Sequence, residues 1–117
     1  MTKCRALVVE AEVLVAMLTE DMLEELGFDV CGSVGNLCDG LQIAAKGIFD
    51  IAVLDVNLHG VYSYTIAEVL KQRGIPYIFV SGYTAHGLEA GYRDTPIVQK
   101  PFTADTLRRA LFDMGVR

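Results

Sequence analysis

Four polar side chains stand where apolar runs of this sequence stop. Glu10 follows Ala6-Leu7-Val8-Val9, Asp55 follows Ile51-Ala52-Val53-Leu54, Ser81 follows Tyr77-Ile78-Phe79-Val80, and Lys100 follows Ile97-Val98-Gln99. If these runs are neighbouring strands, two carboxylates, a hydroxyl and an ammonium face one pocket. Such a set can hold a hard cation and a phosphoryl group together. Magnesium takes one or two carboxylates with a carbonyl, waters and phosphate oxygens. A hydroxyl and an ammonium suit the remaining phosphoryl oxygens, where charge gathers during transfer. Taken singly, each residue has a plainer reading: a carboxylate at a strand end is commonly a cap or turn residue, and a lysine before proline is commonly a solvated loop charge. The coincidence of all four at strand ends favours the chemical reading.

Other chemistries find little support. His59 and His86 lie 27 residues apart, and Cys4, Cys31 and Cys38 show no zinc spacing. Gly32-Ser33-Val34-Gly35 lacks the G-x-G-x-x-G pattern of a dinucleotide site. Val80-Ser81-Gly82 lacks the upstream glycine of a nucleophile elbow.

The elements that must position the four residues follow from periodicity. Residues 6–9, 29–33, 51–54, 77–80 and 97–99 read as short buried strands. Between them, residues 13–26 follow a helical period through Leu14, Met17, Leu18, Met22 and Leu26, with Glu20, Asp21, Glu24 and Glu25 on a face read as solvated and Gly27 as the stop. Asn36 is positioned to cap a second helix through Leu37, Leu41, Ala44 and Ala45; residues 64–72 predict a third, and Thr103 caps a last one containing Leu107, Ala110, Leu111 and Met114. Residues 83–93 are only weakly helical, since Gly87 and Gly91 each cost about 1 kcal/mol relative to alanine. Five continuous apolar strands alternating with five helices predict a doubly wound α/β domain with a five-stranded parallel sheet covered on both faces. Chemistry in such sheets sits beyond the carboxyl ends of the strands.

Composition narrows the class of partner. The 117 residues predict one domain, with no repeat or linker, and 52% apolar content suffices for a single core. Fifteen acidic against ten basic residues, a net charge of −5, argue against a nucleic-acid surface and against attachment to anionic lipid. No apolar run approaches membrane-spanning length, and the four apolar residues before Glu10 make no signal-peptide core. With an odd number of cysteines, reduced thiols in a cytoplasmic protein are the expectation.

In order and spacing, Leu7-Val8-Val9-Glu10, Val53-Leu54-Asp55-Val56-Asn57-Leu58, Val80-Ser81-Gly82 and Val98-Gln99-Lys100-Pro101-Phe102 resemble the receiver domain of bacterial two-component response regulators. The resemblance covers essentially all of residues 1–117 as one receiver domain, with no output domain. It implies the flavodoxin-like sheet with strand order 2-1-3-4-5. It makes Asp55 the phosphoryl acceptor, an ionised nucleophile held near Mg²⁺ and Lys100. Glu10 becomes a metal-pocket acid, reaching the ion directly or through water, and Asn57 offers its backbone carbonyl. Ser81 hydrogen-bonds a phosphoryl oxygen, and Lys100 pairs first with Asp55 and then with the phosphoryl group. Pro101 fixes the turn that aims Lys100, through a cis bond. The implied donor is a histidine kinase or histidine phosphotransfer protein, with a downstream protein partner and no turnover of a separate substrate. Tyr83, Tyr92 and Arg108 form the implied partner surface, by resemblance to the family's face between its fourth and fifth helices.

Three departures from the family pattern qualify this reading. Its pair of adjacent acids after the first strand is Glu10-Ala11 here, and Glu12 lies one residue too far along to replace the missing acid, so weak Mg²⁺ binding is expected. Three residues before the lysine, Ile97 replaces the family's Tyr or Phe and cannot swing a ring inward; the movable part left is the segment 83–93. His59 and Ser63 stand where Pro and Gly are usual. Two rival readings accompany the phosphoryl switch: a degenerate receiver acting as a phosphorylation-independent interaction module, and a small flavin-binding protein that fits the fold alone.

Overall fold

The computed structural model describes residues 4–82, 90–92 and 95–114. The strands β1 (Arg5–Val9), β2 (Asp29–Val34) and β3 (Ile51–Asp55), a short hairpin of β4 (Asn57–Leu58) and β5 (Val61–Tyr62), and the strands β6 (Tyr77–Ser81) and β7 (Ile97–Gln99) alternate with helices α1 (Val13–Glu25), α2 (Leu37–Lys46), α3 (Tyr64–Arg73) and α4 (Ala104–Asp113). The main sheet runs β2-β1-β3-β6-β7 and every pairing within it is parallel. Counting only its five strands, that is the expected order 2-1-3-4-5. Of the segment 83–93 read as a weak helix, Ala90–Tyr92 is a 3₁₀ turn, and 83–89 and 93–94 lie outside the described residues.

Side chains of a strand alternate between its two faces, and the core divides accordingly. Leu7, Val9, Ala52, Leu54, Tyr77 and Phe79 pack against Ala44 of α2 and Ile66, Ala67 and Leu70 of α3. Ala6, Val8, Ile51, Val53, Ile78 and Val80 pack against Ala16 and Leu23 of α1 and Leu107 and Leu111 of α4. With helices on both faces, no position in β1, β3 or β6 needs a polar side chain for solvent. The apolar runs visible in the sequence are the consequence.

Several devices fix the helices. Asn36 accepts the Asp39 amide at 2.8 Å and Thr103 accepts the Thr106 amide at 3.2 Å, both capping as expected. The Arg73 guanidinium at the end of α3 donates to the carbonyls of Ala44 and Gly47, at 2.6 and 2.9 Å, satisfying acceptors that the end of α2 leaves without partners. On the α2/α3 face lies an aromatic cluster: Tyr64 stacks on Tyr92 (ring centroids 4.6 Å apart) and on Tyr62 (5.6 Å), while Phe79 meets Tyr64, Tyr77 and Tyr92 edge-on.

Helix α1 departs from the expected orientation. Leu14, Met17 and Leu18, read as part of its apolar face, are 75%, 56% and 57% exposed. The face on the sheet is instead Ala16, Thr19 and Leu23, with Met22 and Leu26 partly buried. Thr19 sits there because its hydroxyl donates to the Val15 carbonyl at 2.8 Å, so burial leaves no polar group unpaired. The three cysteines are free thiols; Cys31 and Cys38 are exposed, Cys31 donating to the Ala6 carbonyl at 3.4 Å, and Cys4 is half-buried.

Candidate functional site

The carboxyl ends of β1, β3, β6 and β7 bring the four residues together. The Lys100 ammonium lies 2.8 Å from Glu10 Oε1 and 3.4 Å from Asp55 Oδ2. The Glu10 and Asp55 side chains are 4% and 8% exposed and the Lys100 side chain 21%, so these charges interact with little screening by water. Backbone pairing sets the ends: the Glu10 amide donates to the Val34 carbonyl at 2.9 Å, and the Lys100 amide to the Ser81 carbonyl at 2.8 Å. The Lys100–Pro101 bond is cis, as expected. Ser81 is buried, and with Asp55, Lys100, Ala11, Glu12, Asn57, His59 and Gly82 it lines an open cavity of about 460 Å³.

The two carboxyls are not equivalent. Burial, then the hydrogen bond and the repulsion from Glu10, push Asp55 up to about 7 against the pull of Lys100. For Glu10 burial acts upward too, but hydrogen bonds from Asp55 and Lys100, helped by the Glu12 amide at 3.1 Å, hold it below the usual carboxylate range. Lys100 is raised: burial works against its charge, and the two carboxyls outweigh it. In neutral solution without a cation, Glu10 is the carboxylate of the pair and Asp55 carries much of the shared proton.

These residues fit a hard divalent cation. Glu10, Asp55 and the backbone carbonyl of Asn57 supply hard oxygen donors, the cavity has room for waters, and one or two carboxylates suffice for Mg²⁺. Among the described residues there is no group of three acidic, histidine or cysteine side chains placed to hold a metal. Ala11 lines the cavity where a further acid was missed in the sequence, and it supplies only a methyl group.

Two contributions escaped the sequence reading. Asn57 does more than offer a carbonyl: its amide donates to Asp55 Oδ1 at 3.3 Å and its side chain accepts the Gly60 amide at 2.6 Å. That bond braces the turn between β4 and β5, where His59 and Gly60 have φ of 55° and 89°. Two successive positive φ values between the paired Leu58 and Val61 make a hairpin turn of the primed type. His59 is thereby held at the pocket wall; the signal available in the sequence was the histidine in a usual proline position. Of the expected partner surface, Arg108 is exposed on α4 and paired with Asp105 at 2.6 Å. Tyr92 is instead 8% exposed, its hydroxyl donating to the Tyr64 carbonyl at 3.3 Å and bonding the Glu68 carboxylate, so its ring belongs to the core. Tyr83 lies outside the described residues.

Comparison with known proteins places this geometry. Residues 6–112 match the response regulator receiver domain family. SdrG from Sphingomonas melonis Fr1, in solution, is 39% identical, covers 99% of this chain and 100% of its own, and superposes with a TM-score of 0.88. The receiver domain of the PhyR response regulator from Erythrobacter litoralis is 31% identical over 96% of this chain and 92% of its own, with a TM-score of 0.81. The sensor histidine kinase RcsC of Salmonella typhimurium is 29% identical over 90% of this chain, which spans only 12% of that kinase.

Proposed function

The chain belongs to the response regulator receiver domain family, the signalling modules of two-component systems, and from that premise we propose that it is a phosphoryl-accepting switch with Asp55 as acceptor. In this reading residues 1–117 form one receiver unit in the cytoplasm. The observation that carries it is the Lys100 ammonium bridging Glu10 and Asp55 at the buried end of an open pocket.

Asp55 attacks phosphorus with a carboxylate oxygen; the donor's bond to phosphorus breaks, and its electron pair leaves with the donor group. Before that step the shared proton leaves to solvent through the open pocket, since a protonated carboxyl is a poor nucleophile. Glu10, Asp55 and the Asn57 carbonyl would hold a Mg²⁺ ion, whose positive charge would offset the negative charge of the phosphoryl oxygens. Lys100 follows the charge from the carboxylate to the new phosphoryl group, and Ser81, across the same pocket, donates to another of its oxygens. The donor in this reading is a phosphohistidine on a kinase or phosphotransfer protein, the output is altered binding of a protein partner, and no separate substrate is turned over. No helix among the described residues is long and apolar enough to cross a membrane.

Ala11 favours a second reading, a degenerate receiver that binds its partner without phosphorylation. Intact-mass measurement after incubation with acetyl phosphate and millimolar Mg²⁺ separates the two. The switch gains one phosphoryl mass, labile to hydroxylamine and absent in Asp55→Asn; no gain with several small donors supports the interaction module.

A further inference from the structure

The geometry points to His59 as a contact for the phosphoryl donor at the wall of the acceptor pocket, an inference that rests on the reading of Asp55 above. His59 lines the same cavity as Asp55, Ser81, Gly82 and Lys100. Its position is built rather than incidental. The two-residue turn that carries it is closed by the Leu58–Val61 pair and braced by Asn57 Oδ1 on the Gly60 amide, and the Asn57 amide in turn holds Asp55 Oδ1. One residue thus ties the acceptor carboxylate to the turn that presents the imidazole. Non-glycine residues seldom adopt a positive φ, and histidine is among those enriched there.

The charge balance of the pocket gives the imidazole its task. A phosphorylated donor is an anion, and its approach meets Glu10, Asp55 and, at the rim, Glu12 against the ammonium of Lys100. That ammonium is already shared by both carboxyls, and Asn57 Oδ1 is engaged by the turn. His59 adds an N–H donor on the wall contributed by the hairpin. A neutral imidazole carries one N–H and an imidazolium two, so the contact is available in either form. With acetyl phosphate as donor, the Asp55 oxygen forms the new bond to phosphorus, the bond from phosphorus to the acetyl oxygen breaks, and acetate departs with the electron pair. His59 hydrogen-bonds a phosphoryl oxygen through this step and is unchanged after it.

The test separates side chain from turn. His59→Gly removes the imidazole while favouring the positive φ, and His59→Asn keeps both an N–H donor and a residue that tolerates the turn. Phosphorylation of Asp55 by acetyl phosphate at saturating Mg²⁺ is followed by intact mass, and Mg²⁺ affinity by calorimetry. The expected result is a second-order rate constant lowered about three- to tenfold in His59→Gly, the scale of one exposed hydrogen bond. His59→Asn recovers part of the loss, and Mg²⁺ affinity stays at the wild-type value in both. A wild-type rate in His59→Gly, or a change in its Mg²⁺ affinity, overturns the assignment of His59 and leaves the acceptor reading intact. Failure of the wild-type chain to accept a phosphoryl group overturns both.

Discussion

Strand β6 joins two environments of opposite character. Phe79 is fully buried, edge-on to Tyr64, Tyr77 and Tyr92, in a cluster whose contribution to folding is dispersion and removal of apolar area from water. Two residues later Ser81 enters a pocket where burial and a like-charged neighbour push the Asp55 carboxyl up to about 7. The first environment stabilises the fold. The second stores a like-charge conflict that a bound cation would relieve, the usual condition of a site built for chemistry. Substitutions on the two sides of Val80 should therefore act on stability with opposite sign.

The largest effect is expected from emptying the aromatic side. Phe79→Ala should cost about 3–5 kcal/mol, the range for a buried aromatic truncated in a packed core, read as a lowered urea midpoint. A loss below about 1 kcal/mol would show that Tyr64 and Tyr92 close the space. On the pocket side, Ala11→Asp should tighten Mg²⁺ about 10–100-fold, by analogy with the effect of metal-site partners, and speed phosphorylation of Asp55. Unchanged affinity by calorimetry would place residue 11 outside the metal site.

The pocket's conflict also has a pH signature. Burial and Glu10 push Asp55 from an ordinary 3.8 up to about 7 in the folded chain, so between those values the folded state holds the extra proton. Its contribution to stability is then lost as pH rises from about 4 through 7, with a slope of at most about 1.4 kcal/mol per pH unit. Glu10, shifted the other way, acts only near and below the ordinary carboxylate range. Chemical denaturation of the metal-free protein between pH 5 and 7 should show the decline, and Asp55→Asn should flatten it; an equal slope in both proteins refutes the shared proton. The smallest effect returns to the aromatic side: Tyr92→Phe removes the hydroxyl bonded to Tyr64 and Glu68 while keeping the ring stack. About 1 kcal/mol of stability should go with it.

How much of this was legible in the sequence follows from the same two environments. The sheet and the pocket were, because strands covered on both faces must be apolar throughout, and a polar residue closing such a run stands at a strand end. Glu10, Asp55, Ser81 and Lys100 could be read from that rule alone. Helix α1 misled because apolar residues occupy most of its circumference up to Met22, so periodicity does not choose the buried side. The choice fell to the small Ala16 and the self-satisfied Thr19, which permit close approach to the sheet. The β4–β5 hairpin has two residues per strand, shorter than any alternation can reveal. The brace from Asn57 to Gly60, and with it the fixed place of His59, depends on a side-chain bond across the turn rather than on a pattern. Tyr92 was drawn outward by family analogy, whereas its ring finds its aromatic neighbours, Tyr64 and Phe79, only once α3 and β6 are in place.

The stack of Tyr62, Tyr64 and Tyr92 has a practical consequence. The chain contains five tyrosines and no tryptophan, so its ultraviolet emission is dominated by phenols. Three of those phenols lie in one column, one end of it on the hairpin strand that follows His59 and the other hydrogen-bonded to a carboxylate of α3. Excitation passes readily between rings so close, and a phenol bonded to a carboxylate is a natural quencher. The protein thus carries a label-free optical probe beside its own pocket: adding a cation or beryllofluoride should alter tyrosine emission whenever the hairpin shifts against α3, and the dye-free signal can be followed in a stopped-flow cell.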